Sequence, residues 1–192
     1  MLEYFKKCVD ESCVVKKESF ESNRENLQKA AELIVETLRR GKKLLVFGNG
    51  GSASDAQHFV AEFVVRLKLE RRAYPAIALN TDTAILTSCG NDYGYDRVFS
   101  RQVEALACEG DTIIAISTSG NSPNVLLAIE EARRKKAHVM GLTGESGGKL
   151  ADKCDILIGA KSKETMRIQE THIMFLHVLA DIVERTLEGE KI

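Results

Sequence analysis

Apolar positions along the chain follow a helical period first and short strand-like runs afterwards. The segment "ESNRENLQKAAELIVETLRRG" places apolar residues near helical spacing, and Gly41 stops it. We therefore expect a leading helical segment over residues 1–40, which contain no glycine or proline. Five apolar runs follow that barely alternate, as is typical of strands covered on both faces: "KLLVFG", "AIAL", "TIIAIS", "HVMGLTG" and "DILIGA".

Amphipathic segments separate these runs and predict helices: "SDAQHFVAEFVVRL", "YDRVFSRQVEALA", "SPNVLLAIEEARRKK" and a closing helix from about 163 to 187. Alternating strands and helices predict the α/β class, as a three-layer sandwich with a five-stranded parallel sheet, preceded by an N-terminal helix. No linker or repeat divides the sequence. We expect one domain over 1–192, with a helical segment at 1–40 and an α/β core at 41–192.

Composition narrows the function classes. The 192 residues carry a net charge of -1 and no tryptophan, which gives no indication of a nucleic-acid partner. The sequence has no apolar run of about 18 residues and no apolar signal-peptide centre, so we expect no membrane span. An odd number of cysteines without C-x-x-C favours free thiols in a reducing compartment, hence the cytoplasm: Cys8, Cys13, Cys89, Cys108 and Cys154.

The loop "GNGGSASD" follows the first predicted strand, where open α/β sheets bind ligands. Its glycines allow close backbone approach, and Ser52 or Ser54 can cap the next helix, whose N-terminus favours anions. The spacing also matches the G-x-G-x-x-A form of the dinucleotide fingerprint. The acidic residue expected after the second strand is not clear, however, since Asn80 comes first and Asp82 only later.

A second loop, "STSGNS" at 117–122, follows the strand "TIIAI" and precedes a helix. Its hydroxyls at a helix N-terminus are typical of a site for a terminal phosphate monoester. The loop has no lysine, so it is not a nucleotide P-loop. An ordinary serine-rich turn is the alternative, which the recurrence of two such loops after two strands disfavours. In a third segment, "CGNDYGYD", Asn91 and Asp92 either face a sugar hydroxyl or form a simple turn.

Imidazole and carboxylate groups occur on two of the predicted helices. His58 and Glu62 are four residues apart and therefore lie side by side on one helical face. Three interpretations of this pair stay open: a base and its partner, two metal ligands, or a structural hydrogen-bonded pair. His172 and His177 lie in an apolar stretch of the closing helix, where a buried, hydrogen-bonded histidine is the usual explanation. From the pattern alone, Gln169 is a plain polar residue.

Several motifs together resemble one family. "GNGGSASDAQHFVAE", "PAIALNTD", "GNDYGYDRVFSRQVEAL", "GDTIIAISTSGNSPNV" and "RIQETHIMFLHVLADIVE" occur in the order seen in phosphoheptose isomerases, also called sedoheptulose 7-phosphate isomerases, of the SIS fold. The resemblance covers about 41–187 and much of the leading helix. It implies an isomerase that interconverts sedoheptulose 7-phosphate and D-glycero-D-manno-heptose 7-phosphate, as the entry to activated heptoses for lipopolysaccharide or other surface glycans. It also implies a cytoplasmic homotetramer with zinc in the active site.

The resemblance further implies roles for individual residues. Glu62 would be the catalytic base and His177 the acid of an enediol proton transfer. The implied metal ligands are His58, Glu62, Gln169 and His177. The implied substrate-binding residues are Asn49, Gly50, Gly51, Ser52, Glu62, Asn91, Asp92, Ser117, Thr118, Ser119, Ser122 and Gln169. Because a bound carboxylate is a poor base, the two roles of Glu62 compete, and we favour the base.

Two questions stay open at this point. Replication-initiator-associating proteins share the fold and some motifs but act as binding scaffolds without the catalytic pair, which this chain keeps as Glu62 and His177. In addition, Gln169 and His177 are about 12 Å apart along a regular helix and roughly 80° apart in direction. They can share a metal only if the helix is distorted, if His172 is the true partner, or if the ligands come from different chains. We favour different chains.

Overall fold

The computed structural model describes residues 1–191, in which five parallel strands form one sheet. The strands are β1 (Leu44–Gly48), β2 (Ala76–Ala78), β3 (Thr112–Ile116), β4 (His138–Thr143) and β5 (Ile156–Gly159). Their order across the sheet is β2-β1-β3-β4-β5, and every neighbouring pair is parallel. Each parallel connection needs a crossover, which a helix supplies. The predicted five-stranded parallel sheet is confirmed, with a flavodoxin-like strand order.

Within the described residues, helices cover both faces of the sheet. They are α1 (Leu2–Arg39), α2 (Gly51–Val64), α3 (Thr83–Tyr93), α4 (Ser100–Leu106), α5 (Pro123–Arg134) and α6 (Thr165–Glu188). One apolar cluster joins α1, α2 and α6 to one face. A second cluster joins α3, α4 and α5 to the other face. These two clusters make the predicted three-layer sandwich, and all residues of β1 and β3 are buried between them.

One predicted loop is helical instead. Asn91 and Asp92 lie in the last turn of α3, because the Asp82 carboxylate accepts from the backbone N–H of Ile85 and starts the helix. Gly94, with φ 85, ends it. The next predicted helix is also divided, into a short 3-10 turn at Tyr95–Arg97 followed by α4.

The two halves of α1 have different surroundings. Ala30 and Ile34 in the second half are fully buried against α6 and the sheet, whereas Phe5 and Val9 in the first half are 68% and 59% exposed. The first half of α1 therefore leaves apolar side chains exposed on the surface of this chain. No described helix is both long and apolar enough to cross a membrane.

Candidate active site

Asn80 and Asp82, the two residues considered for contact with a dinucleotide, instead stabilise the fold. The side-chain amide of Asn80 donates to the carbonyl of Gly48 over 2.7 Å, and its oxygen accepts from the Gly48 N–H over 3.3 Å. This fixes the end of β1, while Asp82 caps α3. The predicted serine cap of α2 is not made, because the N-cap residue is Gly50 and no side chain caps the helix there. Ser52 is buried in the first turn.

Gly51 allows α6 to approach the start of α2. A Cβ atom at this position would lie 2.7 Å from the side-chain oxygen of Gln169. A larger residue would therefore displace Gln169 from the first loop. This places Gln169 beside Gly51, among the residues predicted to bind the sugar.

The second loop holds its hydroxyls together at the N-terminus of α5. The Oγ atoms of Ser117 and Ser122 lie 3.0 Å apart, and the Oγ atom of Ser119 accepts from the N–H of Asn121 over 3.2 Å. Gly120 adopts φ 66, and a Cβ there would overlap the carbonyl of Gly147. The loop is thus held in one shape, with hydroxyls at a helix end that attracts anions.

A reciprocal amide pair joins the two loops. Asn49 donates to Asn124 and Asn124 donates to Asn49, each over 2.9 Å, and Asn124 is only 2% exposed. The hydroxyl of Tyr95 also donates to the Asn49 oxygen over 3.3 Å. Sequence reasoning missed Asn124. The sequence offered one signal for it: Asn124 directly follows Pro123, in the first turn of the helix that comes after the loop at 117–122.

Asn91 and Asp92 are exposed at the end of α3. The Asn91 amide donates to the Asp92 carboxylate over 2.8 Å. In the part of the chain that the structure describes, no hydrogen bond joins either residue to the two loops or to Glu62. Their contact with the sugar stays a prediction.

Three predicted catalytic and metal-binding side chains meet between α2 and α6. The Nε2 atom of His58 lies 3.1 Å from a carboxylate oxygen of Glu62 and 3.1 Å from the Nε2 atom of His177. One ligand atom from each residue lies within 4.8 Å of the others. Glu62 is more enclosed than His58, with a side chain 14% exposed against 50%.

This cluster offers three ligand atoms that could hold one metal ion. One Nε2 atom carries at most one proton, so His58 cannot make two straight hydrogen bonds, to Glu62 and to His177. Three lone pairs directed at one cation would satisfy all three groups at once. Tetrahedral zinc bonds of about 2.0–2.1 Å place ligand atoms roughly 3.3 Å apart, close to the two 3.1 Å distances at His58. Two histidines and a glutamate fit the metal.

The structure shows which predicted ligands meet within one chain. Glu62 and His177 come together there through His58. Gln169 lies against Gly51 instead, and Gly51 is seven residues, or about 10 Å of helix rise, from His58. Because α2 and α6 run side by side, Gln169 and His177 each contact a different turn of α2. Within one chain, Gln169 therefore does not join the other three predicted ligands, and its supply from a second chain stays a prediction.

Two further ionisable groups lie near the site. Burial raises the pKa of Asp55, one turn before His58, to about 6, although the nearby His58 charge lowers it. His172 is fully buried and its Nε2–H donates to the carbonyl of Thr143 over 2.9 Å. Burial lowers the pKa of His172 to about 4. His172 is thus a neutral structural residue, which disfavours it as a metal ligand beside Gln169.

Known proteins share both this sequence and this fold. A family model described as the SIS domain matches residues 7–144. A phosphoheptose isomerase from Geobacter sp. (strain M21) is 58% identical over 161 residues, which cover 84% of each chain. The chain belongs to the phosphoheptose isomerase family. The solved phosphoheptose isomerase of Neisseria gonorrhoeae matches with a TM-score of 0.90 and 43% identity, over 95% of this chain and 98% of that one.

A second solved phosphoheptose isomerase, from Francisella tularensis, has a TM-score of 0.92 and 38% identity, over 96% of this chain and 98% of that one. Phosphoheptose isomerases are aldose–ketose isomerases. The family model reaches both loops as well as His58 and Glu62, but ends before α6. The two structural matches cover enough of the chain to include His177 as well.

Proposed function

We propose that this protein interconverts sedoheptulose 7-phosphate and D-glycero-D-manno-heptose 7-phosphate. The observation that carries the proposal is the meeting of Glu62 and His177 through His58, on α2, which begins at the first loop, and on α6, whose Gln169 lies against Gly51 of that loop. Relatives named phosphoheptose isomerase support the same activity. The product would enter the synthesis of activated heptoses for surface glycans.

The reaction moves one proton between C1 and C2 of the open-chain sugar. In the ketose-to-aldose direction, the Glu62 carboxylate removes a proton from C1 while His177 gives a proton to the carbonyl oxygen on C2. The resulting enediol then receives the carbon proton at C2 from Glu62, and His177 takes the proton from the oxygen on C1. Each group thus returns to its initial protonation state, and the same steps in reverse convert the aldose to the ketose.

The loop at 117–122 would hold the phosphate. Hydroxyl and backbone donors at the start of α5 suit a dianionic phosphate. Gly51 at the first loop and His58 in the cluster are separated by about 10 Å of helix rise, a span comparable to an extended seven-carbon chain. Asn49, Ser52 and Gln169 would contact the sugar hydroxyls between these two ends.

We propose Zn²⁺ as the metal, one per subunit, held by His58, Glu62 and His177. A bound zinc ion would polarise the carbonyl and hydroxyl oxygens of the sugar. Glu62 and His177 then each have two competing roles, as ligand and as proton-transfer group, and we propose that both are free to exchange protons during turnover. His58, which lies between the other two, orients both side chains.

Further copies of this chain would complete the assembly, which we propose is a homotetramer. A groove of about 1030 Å³ runs between α1 and α6, away from Glu62. Its apolar lining includes Phe20 and Val178, which are 46% and 50% exposed. Exposed apolar surfaces of this kind mark protein interfaces.

We also propose that residues 1–192 form one SIS domain, since α1 packs on α6. Because its cysteines are free thiols, we propose that the enzyme is cytoplasmic.

The decisive experiment is a direct assay. The purified protein is incubated with sedoheptulose 7-phosphate, and the aldoheptose product is followed by NMR. Formation of the aldoheptose 7-phosphate supports the isomerase. Tight binding of the sugar phosphate without conversion would instead favour a SIS-domain binding protein, an interpretation that the presence of both Glu62 and His177 disfavours.

A further inference from the structure

A buried ion pair lies next to the catalytic cluster. Arg71, in the segment after α2, donates from Nε to the Glu184 carboxylate on α6 over 3.0 Å. Both side chains are almost fully enclosed, at 1% and 2% exposure. A buried pair of charges is stable only when additional hydrogen bonds satisfy both groups, so the surrounding contacts show what this pair holds.

Arg71 binds the end of α2. Its guanidinium donates to the backbone carbonyl of Glu62 over 2.6 Å and to that of Phe63 over 2.9 Å. These carbonyls belong to the last turn of α2, where intrahelical donors run out and a cation is favoured by the helix dipole. Arg71 is therefore attached directly to the backbone of the proposed catalytic base.

Glu184 binds the backbone of the segment that follows α2, the same segment that contains Arg71. Its carboxylate accepts from the backbone N–H groups of Leu67, Lys68 and Leu69 over 2.9–3.1 Å. Burial opposes its charge, but these donors and Arg71 hold the pKa of Glu184 below its usual range. Glu184 follows His177 by seven residues, which is two helical turns, so both lie on the same face of α6.

We propose that Arg71 and Glu184 are positioning residues for the isomerase, whose ion pair fixes α2 against α6 and so holds Glu62 and His58 in register with His177. Apolar residues such as Phe59 and Phe175 share a cluster between these elements, but apolar packing is non-directional. The ion pair has a fixed hydrogen-bonding geometry, so it can set the position of α2 along α6. Arg71 does not bind the substrate phosphate, because its side chain is enclosed and committed to backbone carbonyls and Glu184.

This proposal rests on the proposed function, and two substitutions test it. Lysine in Arg71→Lys keeps the charge but, as a point donor, cannot bridge Glu184 and two carbonyls at once. Glu184→Gln keeps the shape and one acceptor oxygen but removes the charge, and it serves if the arginine variant does not fold. The matched control is Asp111→Asn, which weakens a different, partly buried ion pair, with Lys43, at the start of β3.

Both variants are assayed well below their Tm. Since a misplacement of about 1 Å can cost on the order of 10²-fold in rate, we expect kcat to fall by about 10- to 100-fold. KM should stay near the wild-type value, because the phosphate loop is not touched. Asp111→Asn should lower Tm but keep kcat. Wild-type kcat in both folded variants, or an equal loss of kcat in Asp111→Asn, would overturn the proposal.

A second readout needs no substrate and separates this proposal from the proposed function. In crystal structures of Arg71→Lys and Glu184→Gln, the Nε2 atoms of His58 and His177 should lie farther apart than 3.1 Å. An unchanged distance in both variants would overturn the positioning role even if the wild-type enzyme is active. A wild-type enzyme inactive on sedoheptulose 7-phosphate would refute the proposed function and leave this structural test intact.

Discussion

The Nε2 atom of His177 on α6 lies 3.1 Å from the Nε2 atom of His58 on α2, and both histidines belong to one chain. Their rings meet edge to face, with centroids 4.6 Å apart. Since His58 also lies 3.1 Å from Glu62, the proposed base and acid are linked through a single imidazole. This relationship determines what substitutions at the cluster should do.

Replacing the base should abolish most of the turnover. Glu62→Gln keeps the size of the side chain but removes its basicity, so we expect kcat to fall by roughly 10²-fold or more. Binding of the sugar phosphate should change little. The control is Glu104→Gln, the same chemical change at an exposed carboxylate of α4. Steady-state kinetics with near-normal kcat for Glu62→Gln would show that another group is the base.

Mixed oligomers should not regain activity. Because one chain supplies both Glu62 and His177, a Glu62→Gln subunit and a His177→Ala subunit each carry one damaged site. After verified subunit exchange, we expect the mixture to remain as inactive as its parents. A mixture of wild-type and Glu62→Gln subunits, treated in the same way, controls for loss of activity on mixing and should be active in proportion to its wild-type content. Recovered activity in the double-variant mixture would mean that the site combines residues of two chains.

The loop at 117–122 should favour phosphorylated over unphosphorylated sugars. Ser119→Ala and Ser122→Ala should each weaken binding of a 7-phosphate sugar by about 1–3 kcal/mol, since hydrogen bonds to charged groups are the stronger kind. Unphosphorylated sedoheptulose should be a poor substrate. Ser88→Ala, at an exposed position of α3, is the matched control. Equal kcat/KM for the two sugars would rule out a phosphate site at 117–122.

Metal binding should depend on the cluster alone. After dialysis against Zn²⁺ and removal of free metal, elemental analysis should find about one zinc ion per chain. His58→Ala and His177→Ala should lose this zinc, whereas His138→Ala, at an exposed histidine outside the cluster, should retain it. Zinc retained in both cluster variants would place the metal elsewhere.

His172 should make the fold sensitive to mild acid. The pKa of His172 is about 4 in the folded chain and about 6.5 for an unperturbed histidine, so between these pH values the unfolded chain binds the extra proton. Stability is therefore present above pH 6.5 and is lost as the pH falls towards 4, by up to about 3 kcal/mol. Urea denaturation of His172→Gln, whose amide can still donate to Thr143, should show a flatter pH dependence. Parallel pH profiles for the two proteins would contradict this.

Local sequence patterns determined the layers and the loops. Apolar runs and helical spacing depend on neighbouring residues, so they gave the five parallel strands and most helices in advance. For the same reason, the i, i+4 spacing correctly placed His58 beside Glu62. The end of α3 was missed because capping by Asp82 and Gly94 extended the helix over Asn91 and Asp92.

Only the tertiary structure decided which distant side chains meet. His172 and His177 look alike in the sequence, but the rotation of α6 in the core buries the first and directs the second to His58. Asn49 and Asn124 are 75 residues apart, and Arg71 and Glu184 are 113 apart. Such contacts depend on the register between packed elements, which is set by how whole apolar faces fit together and leaves no periodic signal along the chain.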